Sequence, residues 1–224
     1  MNFKKDRYII IKEAIPEVIA RFLTDYLLLK REVSYTMFKY GVADNTTTEW
    51  GRWDDDQVPG TYSHYSDVAM ETLLAWMHPI MKKHTGLDLA PMYSYTRIYR
   101  KGDELERHKD RPSCAISTTM ALGFDKPYPI YLDPTGGANS KGIEVNLNPG
   151  DMLVYRGCDL EHWRKPFEGE DCVQVFLHYN EKGTFTEHDK YDGRFHLGLP
   201  DWFRKDNKGN LNGELIRKRM VVKI

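Results

Sequence analysis

The chain is poor in cysteine. Its three, Cys114, Cys158 and Cys172, are far apart and form no CxxC pair, which excludes a disulfide framework and a zinc ribbon and suits a reducing compartment. It also lacks any apolar run approaching the roughly 18 to 20 residues of a membrane span. The short stretch Ile9 to Ile11 meets charge at once, so it cannot serve as the core of a signal peptide. Net charge is almost absent: 32 Lys and Arg against 33 Asp and Glu leave -1, so no global field draws the protein to nucleic acid or an anionic membrane. No internal repeat stands out, which sets solenoids and propellers aside. These absences leave a soluble, cytoplasmic globular chain. With 224 residues, 41% of them hydrophobic, it can bury one sizeable core and is read as a single domain.

A strand is predicted at Tyr8 to Lys12, followed by an amphipathic helix from Pro16 to Glu32 with Val18, Ile19, Phe22, Leu23, Tyr26 and Leu27 at three- and four-residue spacing. Residues Ala43 to Tyr65 show neither helical nor strand periodicity and read as a long ordered loop. A second helix spans about Ser66 to His84, with Pro79 expected to kink it and Gly86 suited to its C-cap. Beyond Met92 the chain turns to short apolar or alternating runs. The candidate strands are Tyr93–Tyr99, Cys114–Leu122, Ile130–Leu132, Ile143–Leu147, Met152–Tyr155 and Val173–Tyr179, with a turn at Asn148-Pro149-Gly150-Asp151. The tail from Asp189 ends in the basic LIRKRMVVKI and suggests no role.

His108 and Asp110 lie just after the first of these later strands, where strand alternation points both to one side; His162 follows another predicted strand. Two imidazoles and a carboxylate on one face of an iron(II) leave positions open for other ligands. A bare HxD is common by chance, but here it sits in the frame Tyr99-Arg100-Lys101-Gly102-Asp103-Glu104-Leu105-Glu106-Arg107-His108-Lys109-Asp110. This frame resembles the Y-x-x-G-x-x-L-x-x-H-x-D pattern of the iron(II)/2-oxoglutarate dioxygenase superfamily, above all its prolyl 4-hydroxylase-like branch. Pro149-Gly150-Asp151-Met152-Leu153-Val154-Tyr155 is similar to the turn and strand before that family's distal histidine.

The resemblance implies an α+β fold: a double-stranded β-helix, or jelly-roll, core over 92–180, with N-terminal helices of 1–91 packed on one sheet and a C-terminal extension over 181–224. It implies iron(II) on His108, Asp110 and His162, with 2-oxoglutarate and O2 as co-substrates and ascorbate as an accessory. A C–H bond would be hydroxylated, with release of succinate and carbon dioxide. The substrates it suggests are a prolyl residue or other peptide side chain, with a free amino acid or small metabolite as the alternative.

The sequence departs from the family at one point. Many members carry a Lys or Arg shortly after the distal histidine to pair with the C5 carboxylate of 2-oxoglutarate, whereas this chain reads Asp171-Cys172-Val173-Gln174. A buried carboxylate needs a partner. Arg97, two residues before Tyr99 on one strand face, is the first candidate and Arg164, two beyond His162, the second. Tyr99 and Gln174 could add neutral hydrogen bonds. Arg111 could orient Asp110 or meet substrate. His178 reads as a hydrogen-bonded structural histidine, while His64, His84, His188 and His196 have no partner at a telling spacing. Trp50, Trp53, Tyr62 and Tyr65 could line a groove or simply pack the loop. A nucleic-acid demethylase lacks its arginine-rich ending here, and zinc hydrolysis lacks an HExxH helix. The missing cation keeps open a non-catalytic jelly-roll binding module.

Overall fold

The computed structural model describes residues 2–43, 49–137 and 140–213. The basic end of the tail and residues 44–48 of the 43–65 loop lie outside them. In chain order the elements are α1 (Phe3–Asp6), β1 (Tyr8–Ile11), α2 (Glu17–Lys39), β2 (Tyr62–Tyr65), α3 (Val68–Thr85), β3 (Leu89–Tyr99), β4 (Leu105–His108), β5 (Ile116–Phe124), β6 (Ile130–Asp133), β7 (Ile143–Val145), β8 (Met152–Tyr155), β9 (Glu161–Arg164) and β10 (Cys172–Glu181). The strands form two antiparallel sheets, a six-stranded one in the order β1-β8-β5-β10-β3-β2 and a four-stranded one in the order β4-β9-β6-β7. This is the α+β jelly-roll arrangement expected, with α2 and α3 on the six-stranded sheet.

Strand alternation divides that sheet into two faces. Ile98 of β3, Met120 and Leu122 of β5, Val154 of β8 and Val173, Val175 and Leu177 of β10 face the helices and join Leu23, Leu27, Met70, Leu74 and Met77 in the main core. Each such fully buried side chain contributes about 1.5–3 kcal/mol. The opposite face meets the smaller sheet: Leu153 and Tyr155 of β8 pack with Ile130 and Leu132 of β6 and Val145 of β7. The polar and aromatic residues 93, 95, 97 and 99 of β3 and 174, 176 and 178 of β10 share this inner face, paired across the strands as Arg97 with Gln174 and Tyr93 with His178.

Several local expectations change. Helix α2 runs on to Lys39 and buries Ala20, Leu23 and Leu27, whereas Val18 and Phe22 are exposed. Its sequence carries two apolar stripes, and only packing on β5 selects one; Gly123 there admits Thr24, whose Oγ1 would stand 2.6 Å from a Cβ. Pro79 leaves α3 unbroken, and Gly86 at φ 67° caps it by donating to Lys82 O. The end of the presumed loop is strand β2, and Arg52 bridges to Ser63. Strands β4 and β9, each four residues long and carrying charge, escaped the pattern; they hold the two histidines.

Candidate metal centre

His108 ends β4 and His162 lies within β9, and the register sets them directly across from each other, their rings 4.3 Å apart. Asp110 follows β4 by two residues, pinned by its backbone N–H donating to Gly157 O at 2.9 Å. Its Oδ1 stands 3.7 Å from His108 Nε2 and 3.6 Å from His162 Nε2. The three residues offer ligand atoms that all lie within 4.8 Å of one another. Donors about 2.1 Å from a shared ion stand roughly 3 to 4 Å apart, so the spacing accommodates one.

The orientation of each donor is set by a second contact. His108 Nδ1 donates to Glu106 O at 2.8 Å and His162 Nδ1 to Leu160 O at 3.1 Å. Each neutral ring therefore carries its hydrogen on Nδ1 and turns the lone pair of Nε2 toward Asp110. Asp110 Oδ2 accepts from Ser117 Oγ at 2.6 Å, which leaves Oδ1 for the shared site. Gly157 makes room: a Cβ there would collide with Asp110 and stand 2.6 Å from Ser117 Oγ. Burial opposes the charge on Asp110, but the pull that His162 and His178 exert when protonated and the hydrogen bond from Ser117 hold its carboxyl below the usual range. Burial, with His162 alongside, depresses the pKa of His108 as well. The carboxylate is thus charged and the imidazole neutral at pH 7, the state in which both ligate.

A cavity of about 440 Å³ opens on the triad, walled by Asp55, Tyr93, Arg97, Arg111, Tyr155 and His178 among others. Arg97 reaches it, but its guanidinium is already paired. It donates to both carboxylate oxygens of Asp55 at 2.8 and 2.9 Å, to Gln57 Oε1 at 3.0 Å and to Tyr99 Oη at 3.0 Å. Arg164 differs. Its side chain is fully buried, yet among the described residues no carboxylate pairs with it and its Nε has no hydrogen-bond partner. It donates to Tyr128 O and to Thr119 Oγ1 at 3.2 Å, and Thr119 in turn donates to Gln174 Oε1 at 3.1 Å. Its guanidinium lies over the rings of Tyr128 and Tyr99 at 4.8 and 5.7 Å.

Arg111 does not turn toward Asp110. Both its terminal nitrogens donate to Asp192 at 2.9 Å, and it covers the Tyr93 ring at 4.6 Å. Asp192 also accepts from Tyr65 Oη at 2.7 Å and Arg204 at 3.1 Å, so the C-terminal segment holds two cavity-lining side chains, Tyr65 and Arg111. Of the four loop aromatics only Tyr65 borders it; Trp53 packs between Tyr35 and Tyr62, and Tyr62 donates to Trp50 O. His64, read as partnerless, is buried 3.3 Å from Asp67. Asp55, Ser117, Gly157 and Asp192 carried no signal in the sequence, because each acts on a residue distant along the chain.

No protein-family model matches the chain, and no curated protein matches it. Solved structures do share its fold. A Pseudomonas putida prolyl-4-hydroxylase superposes with a TM-score of 0.57 at 14% identity, over 81% of this chain and 96% of that one. A Trichoplax adhaerens prolyl hydroxylase in complex with a hypoxia inducible factor peptide fragment gives 0.56 at 13%, over 81% and 87%. HygX from Streptomyces hygroscopicus, with nickel and 2-oxoglutarate bound, gives 0.53 at 12%, over 95% and 96%. The chain therefore has the fold of the prolyl 4-hydroxylase-like iron(II)/2-oxoglutarate oxygenases.

Proposed function

We propose that this chain is an iron(II)- and 2-oxoglutarate-dependent dioxygenase that hydroxylates a C–H bond, with His108, Asp110 and His162 as the metal ligands. The observation that carries the reading is the convergence of Nε2, Nε2 and Oδ1 at the open end of this fold, each aimed by its own second contact. Iron(II), when bound there with 2-oxoglutarate and O2, supplies the oxidising chemistry, and succinate and carbon dioxide leave.

The protein's own work is to bind, orient and exclude water. The carbonyls of Glu106 and Leu160 keep both imidazoles in the ligating tautomer, and Ser117 keeps Asp110 monodentate toward the site. For the co-substrate, Arg164 replaces Arg97 as the anchor of the C5 carboxylate. Arg97 is neutralised by Asp55, whereas Arg164 is a buried cation with no anion among the described residues. Such a group is costly unless a ligand completes the pair. Tyr99, beneath both guanidiniums, and Gln174, reached through Thr119, belong to the same buried polar network. Residues 1–91 support the 92–180 core as one dioxygenase domain, and Asp192 of the C-terminal extension holds the cavity-lining Arg111 and Tyr65.

The substrate reading is a peptide side chain or an amino acid. The fold likeness to two prolyl hydroxylases supports a peptide, whereas the polar cavity wall supports a small polar molecule. Anaerobic titration of the iron(II)-loaded protein with 2-oxoglutarate tests the function. A visible charge-transfer band from the chelated 2-oxo acid is expected, and its absence with iron retained would overturn the reading.

A further inference from the structure

One buried imidazole beside the triad takes no part in holding metal or co-substrate. His178 sits on the inner face of β10, 6% exposed, opposite Tyr93 with the rings 4.5 Å apart, and it borders the same cavity. Its hydrogen is placed by a competition at Ser117. That hydroxyl has one proton and three neighbours able to accept it: Asp110 Oδ2 at 2.6 Å, Cys114 O at 2.9 Å and His178 Nδ1 at 3.1 Å. The ionised carboxylate, also the shortest contact, takes the proton. His178 Nδ1 must then be the donor to Ser117 Oγ. A neutral imidazole carries one N–H, so Nε2 is left as a bare acceptor. Among the described residues nothing donates to it.

Several neighbours on this wall have their donors engaged elsewhere. Tyr65 O–H and both terminal Arg111 nitrogens go to Asp192, and Ser117 O–H goes to Asp110. At His178 the unused capacity is that of an acceptor. We propose that His178 is a substrate-binding residue whose Nε2 accepts a hydrogen bond from an N–H or O–H of the substrate, which makes the substrate an amino acid or comparable small polar molecule carrying a donor near the reacting carbon. A prolyl residue within a polypeptide offers a carbonyl oxygen but no N–H of its own, so it cannot fill this acceptor. The proposal rests on the dioxygenase reading for the reaction; the tautomer does not depend on it.

Two measurements decide it. Long-range 1H–15N correlation spectra of histidine-labelled protein, loaded with zinc(II) and 2-oxoglutarate, should show His178 as the Nδ1–H tautomer; an Nε2–H tautomer overturns the proposal. In the iron(II) enzyme, succinate release should be stimulated by a donor-bearing free amino acid or hydroxylated small molecule. His178→Phe should lower kcat/KM for it on the order of 10- to 100-fold, and His178→Gln, which returns an acceptor, should recover much of the loss. Stimulation by a prolyl peptide that His178→Phe leaves unchanged overturns it. A missing charge-transfer band in the wild-type protein would instead count against the dioxygenase reading and leave the tautomer result standing.

Discussion

Replacing Arg164 with methionine separates a ligand-binding arginine from a structural one, and the protein contains its own control. Arg164 and Arg194 are both fully buried, but Arg194 donates to both carboxylate oxygens of Glu71 at 2.9 and 3.2 Å, whereas among the described residues no carboxylate pairs with Arg164. Arg194→Met strands Glu71 as an uncompensated buried charge, a loss of about 3–5 kcal/mol. Arg164→Met forfeits hydrogen bonds to Tyr128 O and Thr119 Oγ1, about 0.5–1.5 kcal/mol each, but it also removes an unpaired buried cation, which offsets that loss. Urea denaturation of the metal-free variant should therefore show stability within about 1 kcal/mol of wild type, or above it. The same substitution should weaken 2-oxoglutarate by about 2–5 kcal/mol, roughly 30- to 5,000-fold in Kd, read by anaerobic titration of the charge-transfer band. A drop in stability matching Arg194→Met, together with an unchanged 2-oxoglutarate affinity, would refute the assignment.

Arg97→Ala should behave in the opposite way. It leaves Asp55 buried and unpaired, so stability should fall by about 3–5 kcal/mol while 2-oxoglutarate binds nearly as before; a large loss of affinity with little loss of stability would return the anchor to Arg97. Gly157→Ala should displace Asp110 through the crowding at Ser117 Oγ and lower iron(II) affinity about 10- to 100-fold in competition with a metallochromic chelator, the circular dichroism spectrum being retained. Burial depresses the His178 pKa to about 4 against an ordinary value near 6.5, so as pH falls the unfolded chain takes up this proton first. The neutral ring's contribution is whole above the unfolded pKa and is lost between pH 6.5 and about 4, about 3 kcal/mol in all. Urea midpoints of metal-free wild type and His178→Phe should converge over that window, and parallel curves would count against it.

The frame from Tyr99 to Asp110 and the turn before β8 pointed to the fold and to the three residues that converge in space, because the resemblance is carried by residue type and short spacing. The same holds for Gly86 and for the inner and outer faces of β3 and β10, which follow from period alone. The sequence could not rank Arg97 against Arg164. Both lie two residues from a site residue, and only the fold brings Asp55 to one of them and leaves the other without an anion. Nor could it show that Ser117, 61 residues from His178 along the chain, sets that ring's tautomer, or that Asp192 takes Arg111 from 81 residues away. Local pattern determined which residues could ligate a metal and where most of the apolar strands lie, but not β2, β4 or β9. Tertiary structure decided which charges are already neutralised and which lone pairs stay free, since pairing depends on distance in space, and residue spacing records that only within an element.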